Sequence, residues 1–409
     1  MTAPDYQPRE RALLGLLAAI QVTHIMDFMM MMPLGPQLMR VFQVTPHEFG
    51  LLVSAYTFGA AASGFLAAFH IDRFDRKIAL LGIYSGFVVT TLLCAIAPGF
   101  WTLLVARAAA GVFGGIAGAV VYAIIGDLIP EARRGAATGV LSSAFSLAAI
   151  AGVPIGLFLA NRYTWRAPFA FLTVASLLLW TISARLLPKI DRHLKTRRSV
   201  SAAKQLQAVF ADRNHLQAFA LTATLMFAGF SVIPFISPYM VANVGLAETD
   251  LPYLYFAGGL ATLFTSRWIG RLSDRHGKRR MFRIVATISM LPLMITTNLP
   301  PVPVPLAICA SVIFMVFVSG RFVPLMAMVT GSVAPRLRGS FLVFNSSIQQ
   351  LFAGLAAYSG GLIMGRAADG RITHYWVVGL LAVAATLACI WLSGMVQPAS
   401  EDTADASRS

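Results

Sequence analysis

The sequence predicts an all-α membrane protein with twelve transmembrane helices in two pseudo-symmetric six-helix bundles. Composition is the first of three observations behind that prediction. The 409 residues are 57% apolar and only 12% charged, with a mean hydropathy of +0.72. A soluble domain carries about a quarter charged residues. The second is a recurrence of apolar segments of about 20 residues, the length a helix needs to cross the hydrocarbon core. The third is an internal repeat relating the two halves of the chain.

The segments fall at 12–39, 48–69, 78–98, 101–126, 136–160, 167–187, 215–240, 250–271, 281–299, 303–330, 339–365 and 373–396. Residues 1–187 make the first bundle, the polar, basic stretch 188–214 the linker, and residues 215–409 the second bundle with a short polar tail. Glycine and proline inside several spans are tolerated in membrane helices. The first span is longer than a signal peptide's apolar region and lacks a small-residue cleavage site, so it is expected to remain as a helix. Cys94, Cys309 and Cys389 are scattered over separate spans. They read as packing residues, with no metal or disulfide spacing.

A formal charge of +15 taken alone points to a polyanion partner. Sorted by loop, however, 24 of the 32 basic residues fall on the side that holds both termini and the linker. Arg40, Arg162, Arg166, Arg366 and Arg371 fall on the other, and Arg107, Arg267 and Arg321 inside spans. Basic loops stay cytoplasmic during insertion. Both termini are therefore expected in the cytoplasm of a bacterial inner-membrane protein, with the bilayer rather than nucleic acid as its surroundings.

The repeat is specific. Arg134-Gly135 and Ser142-Ser143 return 204 residues later as Arg338-Gly339 and Ser346-Ser347, and Gly156 returns as Gly360. Asp72-Arg73 returns as Asp274-Arg275, Pro33 as Pro234 and Met39 as Met240. Two parallel six-helix repeats suggest a carrier with its site between the halves near the midplane.

Over nearly its whole length the chain resembles the major facilitator superfamily. The loop signature stands in Gly270-Arg271-Leu272-Ser273-Asp274-Arg275-His276-Gly277-Lys278-Arg279-Arg280. Its first-half copy keeps Asp72, Arg73, Arg76 and Lys77 but has Ala68 and Asp75 where glycines are expected. Arg107 and Gly111 in span 4 resemble the family's arginine-bearing motif. Gly152-Val153-Pro154-Ile155-Gly156 in span 5 is a variant of the glycine–proline motif of antiporters, and Trp165-Arg166 resembles the drug and sugar efflux branch. The resemblance implies gating at the terminal side. Asp72 and Arg73 with Arg133 or Arg134, and Asp274, Arg275 and Gly277 with Arg336 or Arg338, would make and break contacts there. Gly152 and Pro154 would take part in the same movement. The other reading of these loop charges is that they only set topology.

An ionisable group at mid-membrane costs several kcal/mol and is a functional candidate. Asp27 is the only one of 17 acids deep in a span, about 16 residues from Arg11 and about 13 from Arg40. Asp27, Arg107 and Arg321 have no ionisable counterpart in the opposite half, where Ala228, Ser311 and Ala117 stand. In the family fold spans 1, 4, 7 and 10 line the central cavity, so all three are expected there. Asp27 and Arg107 resemble the acid and arginine of proton-coupled efflux pumps. Desolvation and a nearby guanidinium pull a carboxyl group's proton affinity in opposite directions, which would let Asp27 exchange a proton. A static ion pair joining spans 1 and 4 is the alternative. His24 and Gln21 continue a polar stripe on span 1. His24 reads as a proton relay or a structural hydrogen-bonding residue.

Arg321, Gln21, Asn345 and Gln349 are candidate substrate contacts; hydrogen bonding between helices is the other role for Asn345 and Gln349. An uncompensated Arg321 would favour an anionic or strongly polar substrate. Met29 to Met32 surround span 1 and suit flexible packing. Pro33 and Pro36, echoed by Pro234 and Pro238, are expected to break spans 1 and 7 as paired hinges. The expected function is proton-coupled efflux of small amphipathic molecules, such as a drug, sugar or organic acid, by a monomeric carrier without a cofactor. Proton-coupled uptake or facilitated diffusion of a polar or anionic metabolite is the alternative. An intramembrane enzyme is remote, because no catalytic or metal-binding constellation is visible.

Overall fold

The computed structural model describes residues 8–70, 74–191 and 202–399. Helices α1 Pro8–Met30 and α2 Gly35–Val41 form span 1, α3 Pro46–His70 span 2, α4 Arg76–Ile96 span 3 and α5 Phe100–Leu128 span 4. Span 5 is α6 Glu131–Leu147, a π-helical turn Ala148–Gly152 and α7 Val153–Arg162; α8 Ala167–Leu186 is span 6. A helix α9 Ala202–Ala211 precedes the second half. There α10 Arg213–Phe230 and α11 Ile236–Tyr239 belong to span 7, α12 Leu251–His276 to span 8 and α13 Lys278–Thr297 to span 9. Helices α14 Val304–Gly320 and α15 Phe322–Gly331 make span 10, α16 Arg338–Ile363 span 11 and α17 Tyr375–Leu392 span 12.

Ten of these segments are long and apolar enough to cross a membrane among the described residues. The other two, α12 and α16, match them with 26 residues each. They are more polar because they carry the loop signature's end and the Asn345–Gln350 stretch. Twelve spans in two six-helix bundles result, as the sequence predicts.

Local chemistry sets the boundaries. Proline occupies the first turn of α7, α8, α12 and α14, where its missing N–H costs nothing. The carboxylate of Asp75 accepts from the backbone N–H groups of Lys77 and Ile78 and so caps α4. A second oxygen of Asp75 accepts from the Ile190 N–H at 2.9 Å. This explains the departure from the family pattern in the first half: a capping acid takes the place of a turn glycine. In the second half Gly277 has φ +92°, a conformation glycine adopts without a steric penalty.

The proline pairs break the spans where expected. Helix α1 stops at Met30 and resumes at Gly35; span 7 stops at Phe230 and continues through a 3-10 turn, α11 and a π-turn at Met240–Val244. The two broken ends pack on each other, with a Cβ on Gly35 placed 2.7 Å from Pro238 Cγ. The repeat is equally visible in packing. Gly156 of span 5 faces Met30 of span 1, and its counterpart Gly360 faces the backbone of Ser231 in span 7, 201 residues beyond Met30.

Three large apolar cores define the architecture. One joins both bundles at the side away from the termini, running from Met30, Leu38 and Phe49 to Phe235, Met240 and Ala357. On the terminal side the cores are separate. Leu17, Tyr84, Ile124 and Leu141 belong to the first bundle, and Phe219, Phe282, Leu325 and Phe341 to the second. The bundles therefore share one apolar core at the distal side and keep separate cores at the terminal side, where Phe65 of span 2 still lies 5.5 Å from Phe344 of span 11. Spans 2 and 11 stay in contact along a seam of glycines. A Cβ on Gly50 would lie 2.6 Å from the Ala357 carbonyl oxygen, and one on Gly361 would lie 2.9 Å from that of Pro46. Small residues permit this approach of backbones.

The polar stretch 188–214 holds more structure than a linker reading implies. Leu187 and Ile190 are buried in the first bundle's core, while α9 docks on the second through Val209 and through Phe210 ring contacts with Phe219 and Phe344. Cys94 and Cys389 are buried, but Cys309 is exposed, so packing in the interior describes only two of the three.

Gly111 tests the interior of the first bundle, since a Cβ there would lie 2.0 Å from the backbone oxygen of Tyr56, whereas one on Gly82 meets nothing within 4 Å. Gly111→Val is expected to cost about 1–3 kcal/mol or more by overpacking and Gly82→Ala nothing comparable. Thermal unfolding of the two purified variants checks this.

Candidate functional site

Asp27 and Arg107 meet. Arg107 Nη1 donates to Asp27 Oδ2 at 2.7 Å, and both side chains are 0% exposed. The Tyr56 ring lies 4.5 Å from the guanidinium carbon and that of Phe169 5.9 Å. Within this cage Asp27 Oδ1 and Arg107 Nε and Nη2 have no hydrogen-bond partner among the described residues. Local geometry explains the pairing. Gly111 and Gly114, one and two turns beyond Arg107 on α5, face the Tyr56 backbone and hydroxyl, so α3 approaches close enough for its tyrosine to cover the arginine.

The pair lies inside the first bundle instead of on the cavity wall. Thr23, one turn before Asp27, shares that interior face, and its hydroxyl hydrogen-bonds the Tyr84 hydroxyl at 2.7 Å. Gln21, His24 and Phe28 follow the i, i+3, i+7 spacing of another face. A Cβ on Gly118 of α5 would lie 3.3 Å from His24 Nε2 and 3.8 Å from Gln21 Nε2. His24 Nε2 and Gln21 Oε1 have no hydrogen-bond partner among the described residues. Phe28 reaches across the bundles, its ring 5.9 Å from that of Phe230 on α10.

Arg321 requires a correction. It was expected as an uncompensated charge at the cavity, but it is 1% exposed and turned into the second bundle. Its Nη1 donates to Thr386 Oγ1 at 2.9 Å and Ser289 Oγ at 3.3 Å. No carboxylate pairs with it among the described residues. It stands at the break between α14 and α15. The argument for an anionic substrate therefore loses its basis in this conformation. Asn345 is also 0% exposed, with both ends of its amide unpartnered among the described residues. Gln349 is half-buried and reaches the sulfur of Met326. Arg267 is exposed on α12, not deep.

The expected terminal-side contacts are only partly assembled. Asp72 and Arg73 lie outside the described residues. Arg133 pairs with Glu10 through both guanidinium nitrogens at 2.7 and 3.0 Å, and Arg134 Nε donates to the Ile129 carbonyl. Asp274 and Arg275 are exposed. Neither makes an ion pair or side-chain hydrogen bond among the described residues, so the expected pairing of Asp274 with Arg336 or Arg338 is absent. Arg338 instead lines, with Lys278, Met326 and Thr330, an open depression of about 460 Å³. Gly152 sits at the end of the π-turn and faces Met26, while Pro154 starts α7. The same π-turn carries Ile150, which packs on Gly259 of α12 across the bundles.

The distal closure was not anticipated. Arg40 at the end of span 1 makes a two-pronged ion pair with Glu248 in the loop after span 7, one contact being 3.1 Å. Asn161 donates to the Glu248 carbonyl at 3.1 Å and accepts from Gln37 at 2.8 Å. This network joins spans 1 and 5 to the second half. Its one visible sign in the sequence is that Arg40 belongs to the side poor in basic residues. Tyr56 offers no such sign, since an aromatic in an apolar span is unremarkable until Arg107 lies beneath it.

The Major Facilitator Superfamily family model matches residues 17–221 and again 218–408, so each half matches separately. The chain belongs to that superfamily and is a multi-pass membrane transporter. It is 30% identical over 323 residues to the uncharacterised MFS-type transporter YceJ of Bacillus subtilis (strain 168), covering 78% of this chain and 81% of that one. It is 28% identical to multidrug resistance protein MdtG of Klebsiella pneumoniae (strain 342), over 79% and 76% of the two chains. A probable sugar efflux transporter of Pasteurella multocida (strain Pm70) is 24% identical over 56% of each chain. Among solved structures, a bacterial homologue of the human lysosomal transporter Spinster, inward-facing and unoccupied, superposes with a TM-score of 0.72 at 15% identity, covering 96% and 95%. A D-xylose–proton symporter gives 0.72 at 17% identity, covering 93% and 96%.

Because Arg40 is largely exposed, its pair with Glu248 is worth about 0–1 kcal/mol. Glu248→Gln is therefore expected to shift the balance of conformations without unfolding the protein. Spin labels at Val41 and Ala247 should show a larger population of long distances in the variant; an unchanged distribution would remove the network's role in closure.

Proposed function

We propose that this transporter is a proton-coupled exporter of small amphipathic molecules, working as a monomer by alternating access in the bacterial cytoplasmic membrane with both termini inside. The buried Asp27–Arg107 pair carries this reading. A carboxylate and a guanidinium removed from water hold each other by mutual need, and removing either leaves an uncompensated charge costing about 3–5 kcal/mol. Protonating Asp27 removes the carboxylate's charge without removing the residue, and so changes what holds spans 1 and 4 together.

In the cycle that follows, the present conformation is open to the cytoplasm with Asp27 ionised and paired. Substrate enters at the terminal side. Breaking the Arg40–Glu248–Asn161 network and closing the terminal side expose the cleft to the exterior, where substrate leaves and Asp27 takes up a proton. Return to the present conformation releases that proton inside and remakes the pair with Arg107. Acid outside thus loads Asp27, and the higher internal pH unloads it, so the gradient drives the cycle in one direction. Closure of the terminal side would bring the span 8–9 loop, with Asp274 and Arg275, towards the first bundle.

Support for export over uptake comes from span 5. Gly152 and Gly156 receive Met26 and Met30 of span 1, coupling the helix that carries Asp27 to the helix whose π-turn meets span 8. The names of two relatives, a multidrug resistance protein and a probable sugar efflux transporter, lean the same way. The chemistry described is carriage, with no enzymatic step.

Asp27→Asn in reconstituted vesicles is expected to abolish substrate accumulation driven by an imposed pH gradient while retaining substrate counterflow, which needs no proton. Full gradient-driven accumulation by that variant would rule out the proton role and leave a facilitator. Arg107→Ala, by stranding the acid, is expected to lower thermal stability more than Asp27→Asn does.

A further inference from the structure

The two deep arginines point into bundle interiors, so they leave open what the cleft recognises. Its closed end is aromatic. Phe28 of span 1 and Phe230 of span 7 face each other across the bundles at 5.9 Å, tilted by 36°. Both are partly exposed, unlike the rings packed inside either core. On the same face of α1, one and two turns towards the terminal side, stand His24 and Gln21. Gln21 is 7% exposed, and its Oε1 and His24 Nε2 have no hydrogen-bond partner among the described residues. Buried polar atoms without partners are rare, and each calls for an explanation. Here two lie on the face of α1 that carries Phe28, beside Gly118 of span 4, one and two turns from the aromatic pair that bridges the bundles.

The same aromatic end is joined to the ion pair. The Phe28 ring lies 5.4 Å from that of Tyr56, and the Tyr56 ring covers the Arg107 guanidinium at 4.5 Å. Phe28 also follows Asp27 directly in the chain. The titratable and charged groups within electrostatic reach of Asp27 are Arg107, Tyr56 and Cys94.

We propose that Phe28 and Phe230 form the recognition site for the planar aromatic part of the substrate, that Gln21 and His24 bind its polar group, and that Tyr56 is the positioning residue that links occupancy to the Asp27–Arg107 pair. This rests on the exporter reading and narrows its substrate class to aromatic amphipathic molecules. A ring stacked on or between Phe28 and Phe230 moves Phe28 against Tyr56. Tyr56 packs closely on Gly111 and Gly114, so a shift of its ring is passed to the guanidinium it covers. Two aromatic rings gain offset-stacked or edge-to-face contacts beyond the burial of their area, whereas an open-chain or sugar-like molecule gains only the packing of its C–H groups on the rings.

The test uses vesicles with an imposed pH gradient and three probes: 2-naphthalenesulfonate, ethidium and lactose. Accumulation of either aromatic probe but not lactose is expected. Phe28→Ala and Phe230→Ala should each raise the half-saturating concentration about tenfold or more, and Phe28→Tyr much less, as loss or retention of a stacking ring predicts. Tyr56→Leu should keep counterflow and its half-saturating concentration but lose gradient-driven accumulation, with Tyr56→Phe restoring it. Accumulation of lactose alone, or aromatic flux indifferent to both alanine variants, would overturn the site and leave the exporter reading intact. Impaired alanine variants beside an Asp27→Asn variant that still responds to the gradient would support the aromatic site, and overturn both the proton role and the Tyr56 link. No gradient-driven flux of any probe would overturn both.

Discussion

A guanidinium and a carboxylate placed together inside an apolar bundle constrain everything around them. Arg107 and Asp27 each pay a desolvation cost that only the other, and the polarisable ring of Tyr56, can offset. Span 4 must therefore approach spans 1 and 2 closely, which Gly111 and Gly114 allow. Span 1 must in turn present Asp27 to the interior, which places Thr23 beside Tyr84 and turns Phe28, His24 and Gln21 to the other side. One ion pair thus determines which face of span 1 is scaffold and which face meets the second bundle.

The second bundle uses the same framework with different chemistry. Arg321 is also buried, but hydroxyl groups of Ser289 and Thr386 receive it in place of a carboxylate. Span 7 has Ala228 where span 1 has Asp27. An acid deep in a span therefore stands in only one half, although packing contacts such as Gly156–Met30 and Gly360–Ser231 repeat in both. Duplication preserved the way the helices pack, while the ionisable groups diverged.

Between the halves, closure is unequal at the two ends. A shared apolar core and the Arg40–Glu248–Asn161 network close the distal end, while the terminal end keeps separate cores. The continuous contact of spans 2 and 11 through Gly50 and Gly361 gives a seam about which the halves can rock. The breaks of spans 1 and 7 at Pro33 and Pro234 lie beside that seam, where altered backbone angles disturb no long helix.

The sequence by itself determined the class of fold: twelve apolar stretches, a basic terminal side, a two-fold repeat and paired proline breaks. These follow from period, length and charge, which the bilayer enforces locally. It also singled out Asp27 and Arg107, because an ionisable residue in an apolar span is conspicuous without neighbours. Only the tertiary structure decided where those side chains point. Arg107 and Arg321 look alike in sequence, yet one meets a carboxylate and the other two hydroxyls, and both turn away from the cleft. Helix rotation and the break at Arg321 set that outcome, and neither is written in a single span's pattern. The distal network and the Phe28–Tyr56–Arg107 stack likewise join residues from different spans, so their meaning depends on how the helices are brought together.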